Sequence, residues 1–404
     1  MTQIDLAQKP AHVRESDVVD VDIYAPLQHG EMYHDAFVRM HRDGVPPIFW
    51  TPHNGGHWVV TDSDIMYKIF ADHERFKSDY LIVPKEFNPS GEFRQAPIQT
   101  NPPEHGQFRS LFSSAFILPA VKAREGEVRA LAVELAEKLR PAGRCDFTLD
   151  FAHHLPMKVF MNMVDLPDSD REALIALADR VVGPNTEDKS QIFYAIADYL
   201  GTKIDERAAN PGDDLISKIV TSQIDGQPIK RHDAVSVCSL LLVGGLDTVA
   251  SMMGFVMHYL ATHPEKRRQL VEQPDLIVQA TEEFLRRFAL TSPGRMVAED
   301  LTFEGVSMKK GEMILLSTPF SAVDPNKYED AEAVDFERKA PRMMTFGNGP
   351  HRCPGNMLAR AELRVMLEEW LSRIPVFRLD PENPPIVRTG VNGSFASLPL
   401  VWSD

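Results

Sequence analysis

Cysteine is scarce in this chain of 404 residues. Cys145, Cys238 and Cys353 are odd in number and far apart, which excludes a disulfide framework and fits a reducing, cytoplasmic setting. None has a CxxC neighbour, so finger-type zinc is excluded as well. Basic residues are also short: 43 Lys and Arg against 58 Asp and Glu leave a formal charge of −15. A protein that coats nucleic acid needs clustered cations, so that class is set aside. The opening residues, "MTQIDLAQKPAHVRESD", carry charges throughout and no apolar core, so neither signal peptide nor anchor is expected. One run alone approaches a membrane span, "VCSLLLVGGLDTVASMMGFVMHYLA", residues 237–261. Asp247 at its middle would be costly in lipid, so the run is expected to be a buried central helix. Repeats, low-complexity tracts and linkers are missing too, which points to a single domain over residues 1–404.

What is present is mostly helical. Residues 1–17 are expected to be loosely ordered. "PPIFWTPHNGGHWVVTDSDIMYKIF" predicts a β-hairpin turning at Asn54-Gly55-Gly56, then a helix after Asp62. Residues 79–103 are rich in Pro, Gly and Asn without a period, and read as a lid or binding loop. Helical periods recur from 104 to 290, in "AREGEVRALAVELAEKLR", "DREALIALADRVV", "DLISKIVTSQI" and "DLIVQATEEFLRRFAL". After Pro293 short strands alternate with turns until "GNMLARAELRVMLEEWLSRI" restores a helix; the C-terminus is β with a turn at Asn392-Gly393. The fold class is mainly α with small β-sheets.

Cys353 sits in "FGNGPHRCPGNMLAR", residues 346–360. A catalytic thiol paired with His351 is one role for it. A packed small hydrophobe is another, poorly suited to so polar and glycine-rich a loop. A thiolate ligand to haem iron explains more. Gly347, Gly349 and Gly355 let backbone lie against a flat macrocycle, and a helix starting near Asn356 points its positive end at the sulfur.

The pattern Phe346, Gly347, Gly349, His351, Cys353, Gly355, Leu358, Ala359, Arg360 resembles the haem-binding loop of the cytochrome P-450 monooxygenases. "GGLDT", Gly244 to Thr248, is similar to that family's oxygen-binding motif. Paired glycines inside a helix cost about 1 kcal/mol each against alanine; close helix packing is one explanation, clearance for dioxygen the one the resemblance implies. Thr248 would then hydrogen-bond dioxygen and Asp247 pass protons in from solvent. "EEFLRR" matches the family's ExxR element, which implies a structural brace of Glu283, Arg286 and a later arginine, for which Arg338 is the candidate. The resemblance further implies the family fold with haem b between the central helix and the cysteine-loop helix. His105, Arg109, Arg295 and His351 would receive the propionates, and Gly244, Phe346, Cys353 and Gly355 complete the cofactor site.

The likeness covers nearly the whole chain and is closest to the soluble bacterial camphor-hydroxylating group. It implies a monomer that takes electrons from NAD(P)H through a ferredoxin reductase and a 2Fe-2S ferredoxin, docked on a patch of Arg109, Arg352 and Arg360. It implies a small hydrophobic substrate, O2, and a pocket of Leu240, Val243, Gly244, Thr291, Val391 and Asn392, with Ile82, Val83, Phe87 and Ile98 from the lid. Two departures stand out. Between Leu81 and Phe193 there is no tyrosine to stand where the camphor hydroxylases bind a ketone, which argues for another compact terpenoid or norisoprenoid, with Gln95 as a substitute donor. Pro354 has no N–H to offer the neighbouring sulfur, so the thiolate is expected to donate electrons more strongly.

Overall fold

The computed structural model describes residues 6–91, 94–182, 189–339 and 342–403. Its axis is the central helix, Arg231–Thr262, which at 1.5 Å per residue runs about 48 Å. Among the described residues it is one helix long and apolar enough to cross a membrane. Its apolar faces are nevertheless covered by protein: helices His154–Met163, Arg171–Val182 and Lys189–Ala209 pack on it, as do the strands Arg378–Leu379 and Ser394–Ser397. Val237, Leu242, Met253, Val256, Met257 and Leu260 lie fully inside the larger hydrophobic cluster. Gly244, Gly245, Thr248 and Val249 of this helix line an internal cavity.

The cysteine helix, Asn356–Arg373, begins two residues after Pro354 and packs against helices Leu118–Leu139 and Ile277–Arg287. Leu363, Met366, Leu367 and Trp370 recur at helical spacing and bury the inward face. The Trp370 ring meets Phe147, Phe151, Phe377 and Trp402 edge-on, fixing the helix, and hence the loop before it, relative to the core.

The second, smaller cluster surrounds a five-stranded sheet in the order Ile48–Thr51, His57–Val60, Met313–Leu316, Gly294–Val297, Phe76–Lys77. The expected hairpin is there, with Trp50 opposite Trp58, and Asp62 caps the helix Ser63–Ala71 by accepting from the N–H groups of Asp64 and Ile65. His57–Val60 and Met313–Leu316 run parallel, and Ile314 pairs with Arg295, so the sheet delivers the arginine side chain to the cavity.

Two local expectations need correction. Residues 6–17 are not loose: Ala7 N–H bonds Pro52 O, Lys9 Nζ bonds Val13 O at 2.7 Å, and Val13 is buried in the sheet cluster; residues 1–5 lie outside the described ones. The helix in "DLISKIVTSQI" stops at Val220, because Gln223–Ile224 pairs with Gln227–Pro228 across Asp225-Gly226, both at positive φ. That Asp-Gly dipeptide is a hairpin signal that the helical period obscured.

The loop 79–103, whose residues 92–93 lie outside the described ones, is pinned by its own amides. Asn88 Oδ1 accepts from the N–H groups of Leu81 and Ile82, and its Nδ2 donates to Ile82 O and Lys85 O. Gln99 Nε2 donates to Asp79 O and Pro89 O. Ser236 of the central helix clasps the loop, accepting from Ala96 N–H at 2.7 Å and donating to Arg94 O at 2.6 Å.

Candidate active site

The cavity, about 340 Å³, lies between the central helix and the Cys353 loop. Cys353, Pro354, Gly355, Phe346, Leu358 and Glu362 contribute on one side; Leu240, Gly244, Gly245, Thr248 and Met252 on the other.

The backbone holds Cys353 by a bond from its N–H to Phe346 O at 2.9 Å. Burial pushes the thiol up, while the Gly355 N–H and then Arg109, Arg360 and Arg352 pull it back toward the thiolate. The loop glycines have a more local reason than clearance for a macrocycle. Gly349 has φ +67° and a side chain there would stand 2.5 Å from Phe70 O; Gly347, at φ +65°, lies against the Phe70 ring. The loop therefore seats on the helix Ser63–Ala71, and both turns need glycine.

On the central helix the opposite holds. A Cβ on Gly244 or Gly245 would meet no protein atom within 4 Å. Close helix packing does not explain this pair; the space they leave is cavity. Thr248 Oγ1 donates to Gly244 O at 3.0 Å. Asp247 does not line the cavity; among its contacts, it accepts from Asn392 Nδ2 at 3.2 Å.

A cationic corner forms from three segments. His105 and Arg109 come from helix Glu104–Ser113, Arg295 from the sheet and His351 from the turn before the cysteine, and all four line the cavity. The rings of His105 and His351 have centroids 4.3 Å apart, and each Nε2 is buried without a hydrogen-bond partner among the described residues. No carboxylate pairs with any of the four among the described residues. Burial, then the neighbouring cations Arg109 and Arg295, hold His105 down to about 4; burial and then Arg295 hold His351 down to about 2. Burial alone lowers Arg295 to about 10. A buried guanidinium such as Arg295 without a counter-charge is costly, and an anionic group placed here would offset it.

Of the expected pocket residues, Leu240, Gly244, Thr291 and Ile98 line the cavity. Ile82, Val83, Phe87, Val243, Val391 and Asn392 do not. Val83 is buried in the core and Phe87 is 47% exposed, because the Asn88 knot turns that part of the loop away. Leu81 and Pro97 take their place, and Gln95 is not in the lining. Phe160, Met163, Met252 and Leu290 were not anticipated; their apolar helical periods gave no sign of which core residues face a void. Glu362, 2% exposed, was missed too, and burial alone pushes its carboxyl up to about 8.

The Glu283 group lies apart from the cavity. Arg286 spends all five N–H groups, two on Glu283 at 2.8 Å each and the others on the carbonyls of Ala322, Ala331 and Ala333. Glu283 Oε1 also accepts from Arg338 Nε at 3.1 Å. Both Glu283 and Arg286 are fully buried, so this is a satisfied network, unlike an exposed ion pair.

The family model described as Cytochrome P-450 matches residues 276–393. A probable cytochrome P-450 127A1 of Sinorhizobium fredii is 30% identical over 98% of this chain and 95% of its own length. The chain belongs to the cytochrome P-450 family. A vitamin D3 dihydroxylase of Streptomyces griseolus is 30% identical over 85% of this chain and 87% of its own. The crystal structure of CYP101J2 is similar with a TM-score of 0.90 at 39% identity, over 98% of this chain and 100% of that one. That of CYP101C1 has the same TM-score at 37% identity, over 98% and 100%. The cytochrome P-450 is a monooxygenase with the family's mainly α fold, and its cofactor is haem b. The residues present suit that group: one sulfur donor at a helix N-terminus, glycine clearance opposite, and one buried and one half-buried arginine with two orphaned imidazoles for anionic propionates.

Proposed function

We propose that this cytochrome P-450 hydroxylates a compact apolar substrate, a monoterpenoid or norisoprenoid, with electrons passed from NAD(P)H by a reductase and a 2Fe-2S ferredoxin, and that it works as a cytoplasmic monomer. The observation that carries the substrate class is how the wall hydroxyls are spent. Thr248 donates to Gly244 O, Thr318 to Thr291 O at 2.7 Å, and Thr345 to Leu285 O at 2.7 Å. Beyond the cationic corner, Glu362 and Cys353, the cavity offers Thr291, whose hydroxyl has a 3.5 Å contact with Thr318, and otherwise apolar side chains such as Ile98, Phe160, Leu240 and Leu290. Such a surface orients its ligand by shape and at most one polar contact.

Haem, when bound, supplies the two-electron activation of dioxygen that lets one oxygen atom enter a C–H bond while the other leaves as water. Cys353 would ligate its iron, and His105, Arg109, Arg295 and His351 would hold its propionates. The Ser236 clasp keeps Pro97 and Ile98 against the cavity and excludes water. Thr248 holds a proton on the cavity side of the central helix, and Asp247, on the adjoining face, is the group through which protons arrive.

Ferredoxin docking rests on a smaller patch than the sequence implies. Arg360 is paired with Glu282 at 2.6 Å and Arg109 donates to Arg352 O. Arg352 is exposed, with no ion pair among the described residues, and is the cation best placed to meet an acidic carrier.

The test is a spectral titration of the ferric protein with monoterpenoids, norisoprenoids, fatty acids and macrolides. A low-to-high-spin shift with the first two classes supports the proposal; shifts confined to the others overturn it.

A further inference from the structure

Asn392 was expected on the pocket wall, and its side chain is turned elsewhere. Its Nδ2 donates to Asp247 Oδ2 at 3.2 Å. Its backbone forms an isolated antiparallel bridge with Thr291, which lines the cavity beside Leu290 and Pro293. The turn carrying it is packed against that wall. Gly393 N–H donates to Leu290 O, as does the Tyr33 hydroxyl, both at 3.4 Å. Gly393 is pressed on the Tyr33 ring so closely that a Cβ would stand 2.4 Å from it. Thr291 O accepts from both Thr318 N–H and Thr318 Oγ1, at 3.0 and 2.7 Å. Wall and turn are therefore bonded to one another, and the amide of Asn392 joins them to a carboxylate of the central helix, 145 residues earlier in the chain.

We propose that Asn392 is a positioning residue coupling occupancy of the Leu290–Thr291 wall to the orientation of the Asp247 carboxylate, so that protons pass when substrate presses on the wall. It rests on the reading that Asp247 admits protons to the Thr248 side of the helix. Each transfer breaks one O–H bond and forms another, with the proton drawn from solvent, so no additional oxidant or reductant is needed. An empty cavity leaves the wall unloaded and the carboxylate off its line, which restrains wasteful oxygen reduction before substrate binds. The tie is local and physical: one hydrogen bond between the C-terminal turn and the central helix.

The experiment compares the haem-loaded parent with Asn392→Leu, Asn392→Gln and Asp247→Asn. Substrate affinity is read by spin shift, alongside product formed per NADH, the solvent deuterium effect on NADH oxidation, and the ratio of oxidation rates with and without substrate. Asn392→Leu, similar in size but without a donor, is expected to bind substrate within about twofold of the parent. Its product yield and its substrate-to-empty ratio should fall by about tenfold, less than the roughly 10²–10⁴ a proton-transfer group itself contributes. The solvent isotope effect should rise. Asn392→Gln keeps the donor and should restore much of the loss, which separates lost positioning from a misfolded turn. If Asn392→Leu keeps the parent's yield, ratio and isotope effect while Asp247→Asn loses them, the coupling is overturned and the role of Asp247 stands. If Asp247→Asn itself keeps all three, the underlying reading fails. A loss of substrate affinity in Asn392→Leu with yield intact makes Asn392 wall only, and overturns the proposal.

Discussion

His105 and His351 stack with ring centroids 4.3 Å apart, each with a buried Nε2 that finds no partner among the described residues. Two arginines, Arg109 and Arg295, bear on the same point. A corner so arranged is unfavourable alone and favourable around an anion.

Replacing one of its members should therefore act in opposite directions on the two forms of the protein. Arg295→Leu is expected to raise the thermal stability of the haem-free chain. In the loaded chain it should speed haem loss by about tenfold or more, the equivalent of one charge-assisted hydrogen bond. Haem transfer to a scavenger globin and parallel melting curves check both signs. Slower haem loss would remove Arg295 from the propionate site.

Thr248→Ala should keep NADH consumption but divert it to peroxide, with product yield down by about tenfold. The hydroxyl lost is the one bonded to Gly244 O beside the glycine gap. Peroxide and product assayed together decide it; an unchanged yield takes Thr248 out of proton delivery.

Gly349→Ala meets two obstacles, a left-handed φ and the carbonyl of Phe70. The first alone costs about 1–2 kcal/mol, and the overlap adds to it. A lowered melting temperature and reduced haem content on purification are expected, whereas Gly244→Ala should fold normally, since its methyl group enters the cavity.

Glu362 gives a pH signature. Its carboxyl is raised by burial from 4.5 to about 8. Between those values the folded chain holds a proton that the unfolded chain has released, so stability falls as pH rises through the window. Glu362→Gln abolishes that term, and its advantage in melting temperature over the parent should grow from pH 5 to pH 8. A constant difference across that range would mean the carboxyl is ionised in the folded protein.

Pro354→Leu would return an N–H beside the sulfur. One more donor to a thiolate draws its charge away from the metal, so the iron reduction potential is expected to rise. Redox titration of the two proteins under CO-free conditions is the measurement, and equal potentials would leave Pro354 without that role.

The two motifs that named the site were readable because each is contiguous. Nine positions from Phe346 to Arg360 and five from Gly244 to Thr248 carry their spacing in the chain itself, and helical period placed the long helices around them. Asn392 and the lid show where that ends. Both were assigned to the pocket by position in the chain, but Asn88 and its four bonds turn Val83 and Phe87 away from the cavity, and a turn wedged on Tyr33 aims Asn392 at Asp247.

By itself the sequence determined the candidate sulfur, the paired glycines of the central helix and the mainly helical framework, since these depend on residue type and short-range spacing. The tertiary structure alone decided that Gly349 packs against Phe70, that Arg286 is saturated at all five donors, and that Asp247 accepts from Asn392. The physical reason is the same in each case. These are contacts between elements far apart in the chain, and their direction is set by how helices and strands pack, which no local pattern encodes.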